Sequence, residues 1–198
     1  MNHHREFLKA DFEQCQQWMR HYDSSFSQMI SFLYSGYAAI ITAVYVLYSS
    51  FPSKHEAIVG ASMLLSFSSL VSPIFLFWLM KNRVNFTIVA RWVNEIRGNY
   101  MQSEVPEIKN ISKIYINPKY PPYFNPGSTH ILFLYFTAFC SSVLFSLTVY
   151  SVIRAVNLSF LQNGIVIGFG SYVILAAIIF GFYLLWIILY FKNEEKQK

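Results

Sequence analysis

Residues 165–191 read IVIGFGSYVILAAIIFGFYLLWIILYF, a run of 27 residues without Asp, Glu, Lys, Arg or His. A helix rises about 1.5 Å per residue, so this run is longer than the roughly 30 Å needed to cross the hydrocarbon core of a bilayer. Three further apolar stretches, residues 29–50, 57–80 and 130–156, are also long enough. The sequence therefore predicts an all-α membrane protein with four transmembrane helices.

The rest of the chain is too short to form a conventional soluble domain. It consists mainly of an N-terminal segment, residues 1–28, a connector, residues 81–129, and a tail, residues 192–198. The whole chain is 55% hydrophobic and only 13% charged, which is too apolar for a water-solvated surface around a single core. We predict one membrane domain over residues 1–198.

Basic residues are distributed unevenly between the two sides of the predicted membrane domain. Of the 15 Lys and Arg residues, 13 lie in the N-terminal segment, the connector or the tail, and only Lys54 and Arg154 belong to the other side. Lys and Arg near the ends of spans resist translocation and so set the orientation. We therefore expect both termini and the connector to be cytoplasmic, with the connector facing an anionic inner leaflet.

Two amphipathic segments lie on this predicted cytoplasmic side. In residues 5–30 the apolar residues recur at alternating spacings of three and four, which predicts an N-terminal amphipathic helix. In residues 82–100 they recur every four residues, which predicts a cytoplasmic helix between spans 2 and 3. The N-terminal helix either lies on the bilayer surface or packs against this second helix, and the sequence leaves both alternatives open.

Residues 117–127, NPKYPPYFNPG, cannot form a regular helix because each proline lacks a backbone donor and restrains the residue before it. Aromatic side chains on such a stiff backbone lose little entropy on binding, so this segment is either a docking surface or an interfacial belt. Together with nearby basic residues it forms the predicted contact site for a partner or for anionic lipid. The residues assigned to this site are Arg83, Arg91, Arg97, Lys109, Lys113, Tyr120 and Tyr123.

Small and weakly polar residues recur on the faces of all four spans. In a bilayer such residues permit close helix approach and interhelical hydrogen bonds, although the same hydroxyl groups can also line a narrow pore. The pattern favours helix packing within a homo-oligomer, with pore lining as the alternative. The residues assigned to packing or pore lining are Tyr34, Tyr45, Ser62, Ser66, Ser69, Ser142, Ser146, Gly164 and Gly168.

Several classes of function lack the residues that their chemistry needs. No Asp, Glu, Lys or Arg lies near the middle of a predicted span, which argues against an ion-coupled transporter. The sequence contains no Gly-rich phosphate loop, HExxH, CxxC or GxSxG motif. We predict no enzymatic activity, no metal and no cofactor. Because the basic residues of the connector are spread out, we also expect no nucleic-acid partner.

The N-terminal segment leads into the first span through RHYDSSFSQM (residues 20–29), and the basic connector contains VARWVNEIRGNYM (residues 89–101). In this layout the chain resembles the small four-span inner-membrane components of bacterial antiphage systems. Two groups share it: the membrane subunit of two-gene systems such as Kiwa, which pairs with a cytosolic effector, and pore-type effectors that depolarise an infected cell. The resemblance implies a bacterial inner-membrane location and transfers no functional residue.

Two functions follow from these observations. The favoured one is a non-enzymatic, oligomeric membrane sensor or scaffold that recruits a cytosolic effector protein, because the distinctive sequence lies outside the spans and such a role needs no aqueous path. The alternative is a homo-oligomeric pore that permeabilises the membrane. The pore lacks the ring of charged side chains that commonly selects ions.

Overall fold

The computed structural model describes residues 2–104, 116–156 and 169–197. These residues form four helices and no strand: α1 (Asn2–Ser50), α2 (Lys54–Glu104), α3 (Thr129–Ala155) and α4 (Phe169–Gln197). All four helices are long and apolar enough to cross a membrane. The predicted all-helical chain with four candidate spans is therefore confirmed.

Helices α1 and α2 continue well beyond their apolar stretches. The sequence predicts a separate N-terminal helix and a separate helix over residues 82–100, but both segments are extensions of the spans. Neither junction contains a proline, so the backbone hydrogen bonds run through without interruption. Gly98 lies inside α2, where an added Cβ would be only 3.2 Å from the Ile116 carbonyl oxygen. Glycine therefore permits the close approach of residues 116–128, the described segment before α3, to which the name connector is restricted from here on.

The extensions of α1 and α2, residues 2–28 and 81–104, pack as an antiparallel pair that we call the stalk. At the end of the stalk that adjoins the apolar stretches, which we call its base, the Asn82 amide donates to the Tyr22 carbonyl oxygen at 2.9 Å. Further from the base, Trp92 Nε1 donates to Asp11 at 2.7 Å. At 1.5 Å per residue the stalk extends roughly 40 Å beyond the apolar part of α1. Its small apolar core consists of Phe12, Cys15, Met19, Tyr22, Val89 and Val93.

The main hydrophobic core lies at the stalk end of the bundle, where all four helices and the connector meet. Away from this region the spans differ in burial: 44% of the most apolar 18-residue stretch of α3 is buried, against 6% in α4. Helix α3 is therefore central and α4 peripheral. The core consists of Phe26, Met29, Ile30, Leu33, Leu76, Leu79, Met80, Val84, Tyr123, Ile131, Leu134, Ala138, Ile187 and Phe191.

The third span agrees with its predicted stretch, whereas the last helix continues to Gln197, six residues past the predicted end at residue 191. The predicted tail, residues 192–198, is therefore helical as far as residue 197 and extends the fourth span. Helix α3 begins one residue before the predicted span and ends one residue before its predicted end. Ser128 caps this helix, because its Oγ accepts a hydrogen bond from the Ile131 N–H group. The described part of α4 begins at Phe169, and the first residues of the fourth predicted span, 165–168, lie outside the described residues.

Candidate functional site

Two Asn-Pro turns shape the connector. The Asn117 carbonyl oxygen accepts from the Tyr120 N–H at 3.0 Å, and the Asn125 carbonyl oxygen accepts from the Ser128 N–H at 2.9 Å. In both turns the Asn Oδ1 also accepts the N–H group two residues further on. Proline presets the second position of each turn and the asparagine side chain closes it. The segment PPYF between them is thereby held in a defined shape.

Arg91 of α2 joins three parts of the chain. Its Nε donates to the Pro121 carbonyl oxygen at 3.0 Å, and its Nη2 donates to Glu195 Oε1 at 2.7 Å. The guanidinium carbon lies 4.3 Å from the centroid of the Tyr123 ring. We call Arg91, Pro121, Tyr123 and Glu195 the Arg91 junction. Because the Arg91 side chain is only 15% exposed, solvent screens these contacts less than it would at an open surface.

Glu195 completes the junction from the C-terminal end of α4. Its second carboxylate oxygen, Oε2, accepts from the Tyr123 N–H at 3.3 Å. The Glu195 side chain is 47% exposed, and a partly exposed ion pair contributes only about 0–1 kcal/mol on its own. Its effect is geometric, since it holds the end of α4 against both α2 and the connector.

The aromatic residues of the connector pack toward α4. Tyr123 is 1% exposed and belongs to the main core, while the Phe124 ring lies 6.3 Å from the Phe191 ring. Burial raises the pKa of the Tyr123 phenol, the Arg91 guanidinium opposes this rise, and nearby carboxylates add to it. The phenol is therefore neutral at physiological pH, and the contact with Arg91 is a cation–π contact rather than an ion pair.

Two further side chains of α2 bind connector carbonyl groups. Arg83 Nη2 donates to the Pro122 carbonyl oxygen at 3.3 Å, and Asn94 Nδ2 donates to the Tyr120 carbonyl oxygen at 2.6 Å. The carbonyl groups of a proline-rich segment have no ladder or helix in which to pair, so side-chain donors satisfy them. The connector is consequently bound along three turns of α2.

Three residues predicted to contact a partner or lipid are used inside the chain. Arg83 is 4% exposed, Tyr123 is 1% exposed, and Arg91 is half-buried. Their contacts are with the connector, α2 and α4. These side chains therefore offer little surface to a partner in the arrangement described here.

The remaining residues of that predicted site are dispersed. Tyr120 is 37% exposed, and the Arg97 guanidinium lies 5.3 Å from the Phe12 ring centroid within the stalk. Lys109 and Lys113 lie outside the described residues. The structure thus unites Arg83, Arg91, Tyr120 and Tyr123 around the connector and places Arg97 further along the stalk.

His130 ties the start of α3 to the stalk. Its Nε2 lies 3.1 Å from Asp23 Oδ1, and its ring centroid is 4.1 Å from that of Phe26 and 5.4 Å from that of Phe86. The hydrogen bond and the two aromatic contacts fix the imidazole at the base of the stalk. Neither His130 nor Asp23 belongs to the predicted site residues, because their pairing depends on how α1 and α3 pack.

Within the spans, hydroxyl groups pair across three helices. Tyr37 Oη lies 2.5 Å from Ser72 Oγ and 3.3 Å from Ser141 Oγ, and the two serine oxygens lie 2.5 Å apart. This cluster joins α1, α2 and α3. None of these three residues is among those assigned to packing or pore lining from the sequence, although Ser72 continues the spacing of three and four residues set by Ser62, Ser66 and Ser69.

Four residues predicted to serve in packing or pore lining make hydrogen bonds within the chain. Ser69 Oγ lies 2.6 Å from Thr148 Oγ1 of α3, and Ser146 Oγ donates to the Tyr172 carbonyl oxygen of α4 at 2.7 Å. Ser62 and Ser142 are buried and donate to carbonyl oxygens of their own helices. Ser69 and Ser146 therefore join neighbouring helices of this chain, whereas the hydrogen bonds of Ser62 and Ser142 stay within their own helices.

The other residues of that set show no common location. Tyr34 is half-buried against aromatic rings of α3, and Ser66 is half-buried on α2. Tyr45 is 73% exposed on the outside of α1. Gly164 and Gly168 lie outside the described residues.

Arg91, Glu195 and the connector link different parts of the chain through one set of contacts. Over the three described ranges, no group of three His, Cys, Asp or Glu side chains is placed to hold a metal ion. A scan against protein-family models, a search of curated proteins and a search of solved structures each return no match to this chain. The Arg91 junction is the candidate site, because it brings the stalk, the connector and the most peripheral span together.

Proposed function

We propose that this protein is a non-enzymatic membrane sensor and scaffold whose stalk recruits a cytosolic effector protein. In this proposal a homo-oligomer sits in the bacterial inner membrane, with the stalk, the connector and both termini in the cytoplasm. The layout that the chain shares with membrane subunits of antiphage systems supplies the biological setting, which is defence against infection.

The link between α4 and the stalk is the observation that carries the proposal. Only 6% of the most apolar stretch of α4 is buried, so a change in bilayer thickness or lateral packing acts most directly on this helix. A span that no longer matches the bilayer responds by tilting. The C-terminal end of α4 is bound to α2 through Glu195 and Arg91, so tilting of α4 pulls on the stalk at Arg91.

Two states of the junction give this link a mechanism. In the closed state Glu195 binds both the Arg91 guanidinium and the Tyr123 N–H, as described above. In the open state the end of α4 beyond Phe191 has tilted away, so that Glu195 leaves Arg91 and Tyr123 while Ile187 and Phe191 remain in the core. The Arg91–Glu195 pair contributes about 1 kcal/mol, a small enough difference for a change in the membrane to shift the two populations.

Photo-crosslinking in living cells tests the proposal. A photoreactive residue replaces Gln14, which is exposed on the stalk, and in a matched variant it replaces Tyr48 at the opposite end of α1. We expect a cytosolic protein of defined mass to be captured from position 14 and not from position 48, with a yield that changes when the membrane is perturbed. Glu195→Gln should alter how strongly the yield depends on the membrane, whereas Lys196→Gln should leave that dependence as in the wild type. A crosslinking yield that changes neither when the membrane is perturbed nor when Glu195 is replaced would contradict the proposal.

A further inference from the structure

Arg83 carries a buried charge that has no counter-ion among the described residues. Its guanidinium makes one hydrogen bond, to the Pro122 carbonyl oxygen at 3.3 Å, and lies 5.6 Å from the Phe86 ring centroid. Within residues 2–104, 116–156 and 169–197 it forms no ion pair, and its Nε has no hydrogen-bond partner. An unpaired charge that is 4% exposed costs several kcal/mol, so buried charges are normally paired.

Two neighbouring side chains also carry unpartnered polar atoms. Thr87 lies one helical turn beyond Arg83, is fully buried, and has no partner for Oγ1 within the described residues. His130 is 9% exposed; its Nε2 faces the Asp23 carboxylate, whereas its Nδ1 has no partner in the same part of the chain. Arg83 and His130 both pack on Phe86, and Thr87 is the residue of α2 that follows Phe86.

Arg83 and His130 lie at the boundary of the predicted spans. Arg83 is three residues beyond the apolar stretch of residues 57–80, and His130 is the second residue of α3. The first N–H groups of a helix and its dipole favour negative charge, so the start of α3 adds to the positive potential. Basic sites between helices at this depth bind the phosphate groups of lipids.

We propose that Arg83, Thr87 and His130 form a binding site for a phosphate group, which serves as the counter-ion of Arg83. The guanidinium would donate from Nε and a terminal nitrogen to two phosphate oxygens, and the Thr87 hydroxyl would donate to an oxygen as well. The phosphate belongs either to a lipid headgroup or to free phosphate, since the recognition chemistry is the same. The site does not depend on whether the stalk recruits a partner.

Thermal unfolding of the delipidated, full-length protein in detergent micelles tests this site. One titration uses sodium phosphate against sodium chloride at equal ionic strength, a second uses phosphatidylglycerol, and a third uses a galactolipid that lacks phosphate. A saturable rise in the midpoint with inorganic phosphate identifies free phosphate as sufficient. A rise with phosphatidylglycerol alone identifies the lipid headgroup as the source. No rise with either, or an equal rise with the galactolipid, would overturn the proposal.

Variants locate the effect at the proposed residues. Arg83→Gln should weaken the apparent affinity about ten-fold or more, because a charged hydrogen-bonding group is lost. Thr87→Val should also weaken phosphate binding, by a smaller factor. Because it keeps the shape of the side chain, it tests the location of the site even if Arg83→Gln does not fold. Lys81→Gln, an exposed change at the same boundary, should bind like the wild type. Wild-type affinity in both Arg83→Gln and Thr87→Val would exclude this site.

Discussion

The Arg91 guanidinium and the Glu195 carboxylate lie 2.7 Å apart, although 104 residues separate them in the chain. Arg91 also binds the Pro121 carbonyl oxygen and lies over the Tyr123 ring. These contacts link α2, the connector and the end of α4 to one another. In the proposed mechanism, a displacement of α4 reaches the stalk through these contacts.

Replacing Glu195 by Gln tests the ion pair of the Arg91 junction. We expect Glu195→Gln to lower the free energy of unfolding by about 0.5–1 kcal/mol, because nearly half of the side chain is exposed and screened. The difference should shrink at high salt. Thermal unfolding in nanodiscs measures it, with Lys196→Gln as the exposed control. Identical salt dependence in the two variants would show that the ion pair contributes nothing.

Replacing Arg91 by Gln should have a larger effect, because a carbonyl hydrogen bond, an ion pair and a cation–π contact are lost together. We expect a loss of about 2–4 kcal/mol and faster amide exchange in residues 117–124. Arg91→Lys should restore less than half of the loss, since an ammonium group cannot reproduce the planar fork. The control is Arg97→Gln, which removes one cation–π contact between two half-buried side chains of the stalk. Equal losses at positions 91 and 97 would refute the special role of the junction.

The hydroxyl cluster in the spans should show direct energetic coupling. A double-mutant cycle with Tyr37→Phe and Ser72→Ala should give a coupling free energy of about 0.5–1 kcal/mol, in the range of interhelical hydrogen bonds in membranes. Ser49→Ala is the control partner, because Ser49 donates only to a carbonyl oxygen of its own helix. The cycle is measured by reversible unfolding in mixed micelles. Strict additivity of Tyr37→Phe and Ser72→Ala would contradict the described contact.

Cys15 reports on the packing of the stalk. The side chain is 7% exposed, and burial together with the Asp11 carboxylate raises the pKa of its thiol, which lowers the thiolate fraction near neutral pH. In a Cys140→Ser background we expect a water-soluble maleimide to react about ten-fold more slowly with Cys15 than with a Gln14→Cys variant that lacks Cys15. The Cys15 rate should continue to rise at pH values where an ordinary thiol has reached its plateau. Equal rates at both positions would mean that the stalk is open.

Electrical recordings separate the scaffold from the pore. We expect the purified protein to produce no discrete conductance in planar bilayers, because Ser69 and Ser146 are engaged in hydrogen bonds between helices of the same chain. Conductance that disappears in a variant carrying Ser66→Leu and Ser69→Leu would favour the pore instead. In the scaffold, the same double substitution should leave effector capture unchanged, whereas reversing Arg91 and Arg97 to Glu should abolish it.

The candidate spans were predictable because the free energy of placing a helix in hydrocarbon depends mainly on local composition and length. Residues 29–50, 57–80 and 130–156 lie within, or within one residue of, helices α1, α2 and α3. The prediction that residues 5–30 and 82–100 form helices separate from the spans was wrong. Periodicity reveals an apolar face, but it does not show whether the backbone is interrupted between a span and its extension.

The candidate site was predictable only in part. A basic, proline-rich connector pointed to Arg83, Arg91, Tyr120 and Tyr123, and these four residues do lie around one segment of backbone. What they contact was not predictable, since a basic side chain binds lipid, protein or its own chain with equal chemical plausibility.

By itself, the sequence determined four helices able to span a membrane, a segment over residues 117–127 that cannot form a regular helix, and the absence of charge near the middle of the spans, because each depends on residues close together in the chain. The tertiary structure alone decided that Glu195 meets Arg91, that Tyr37 meets Ser72 and Ser141, and that Arg83 is buried. These pairings depend on the rotation and axial alignment of whole helices, which many weak packing contacts set together and no local pattern encodes.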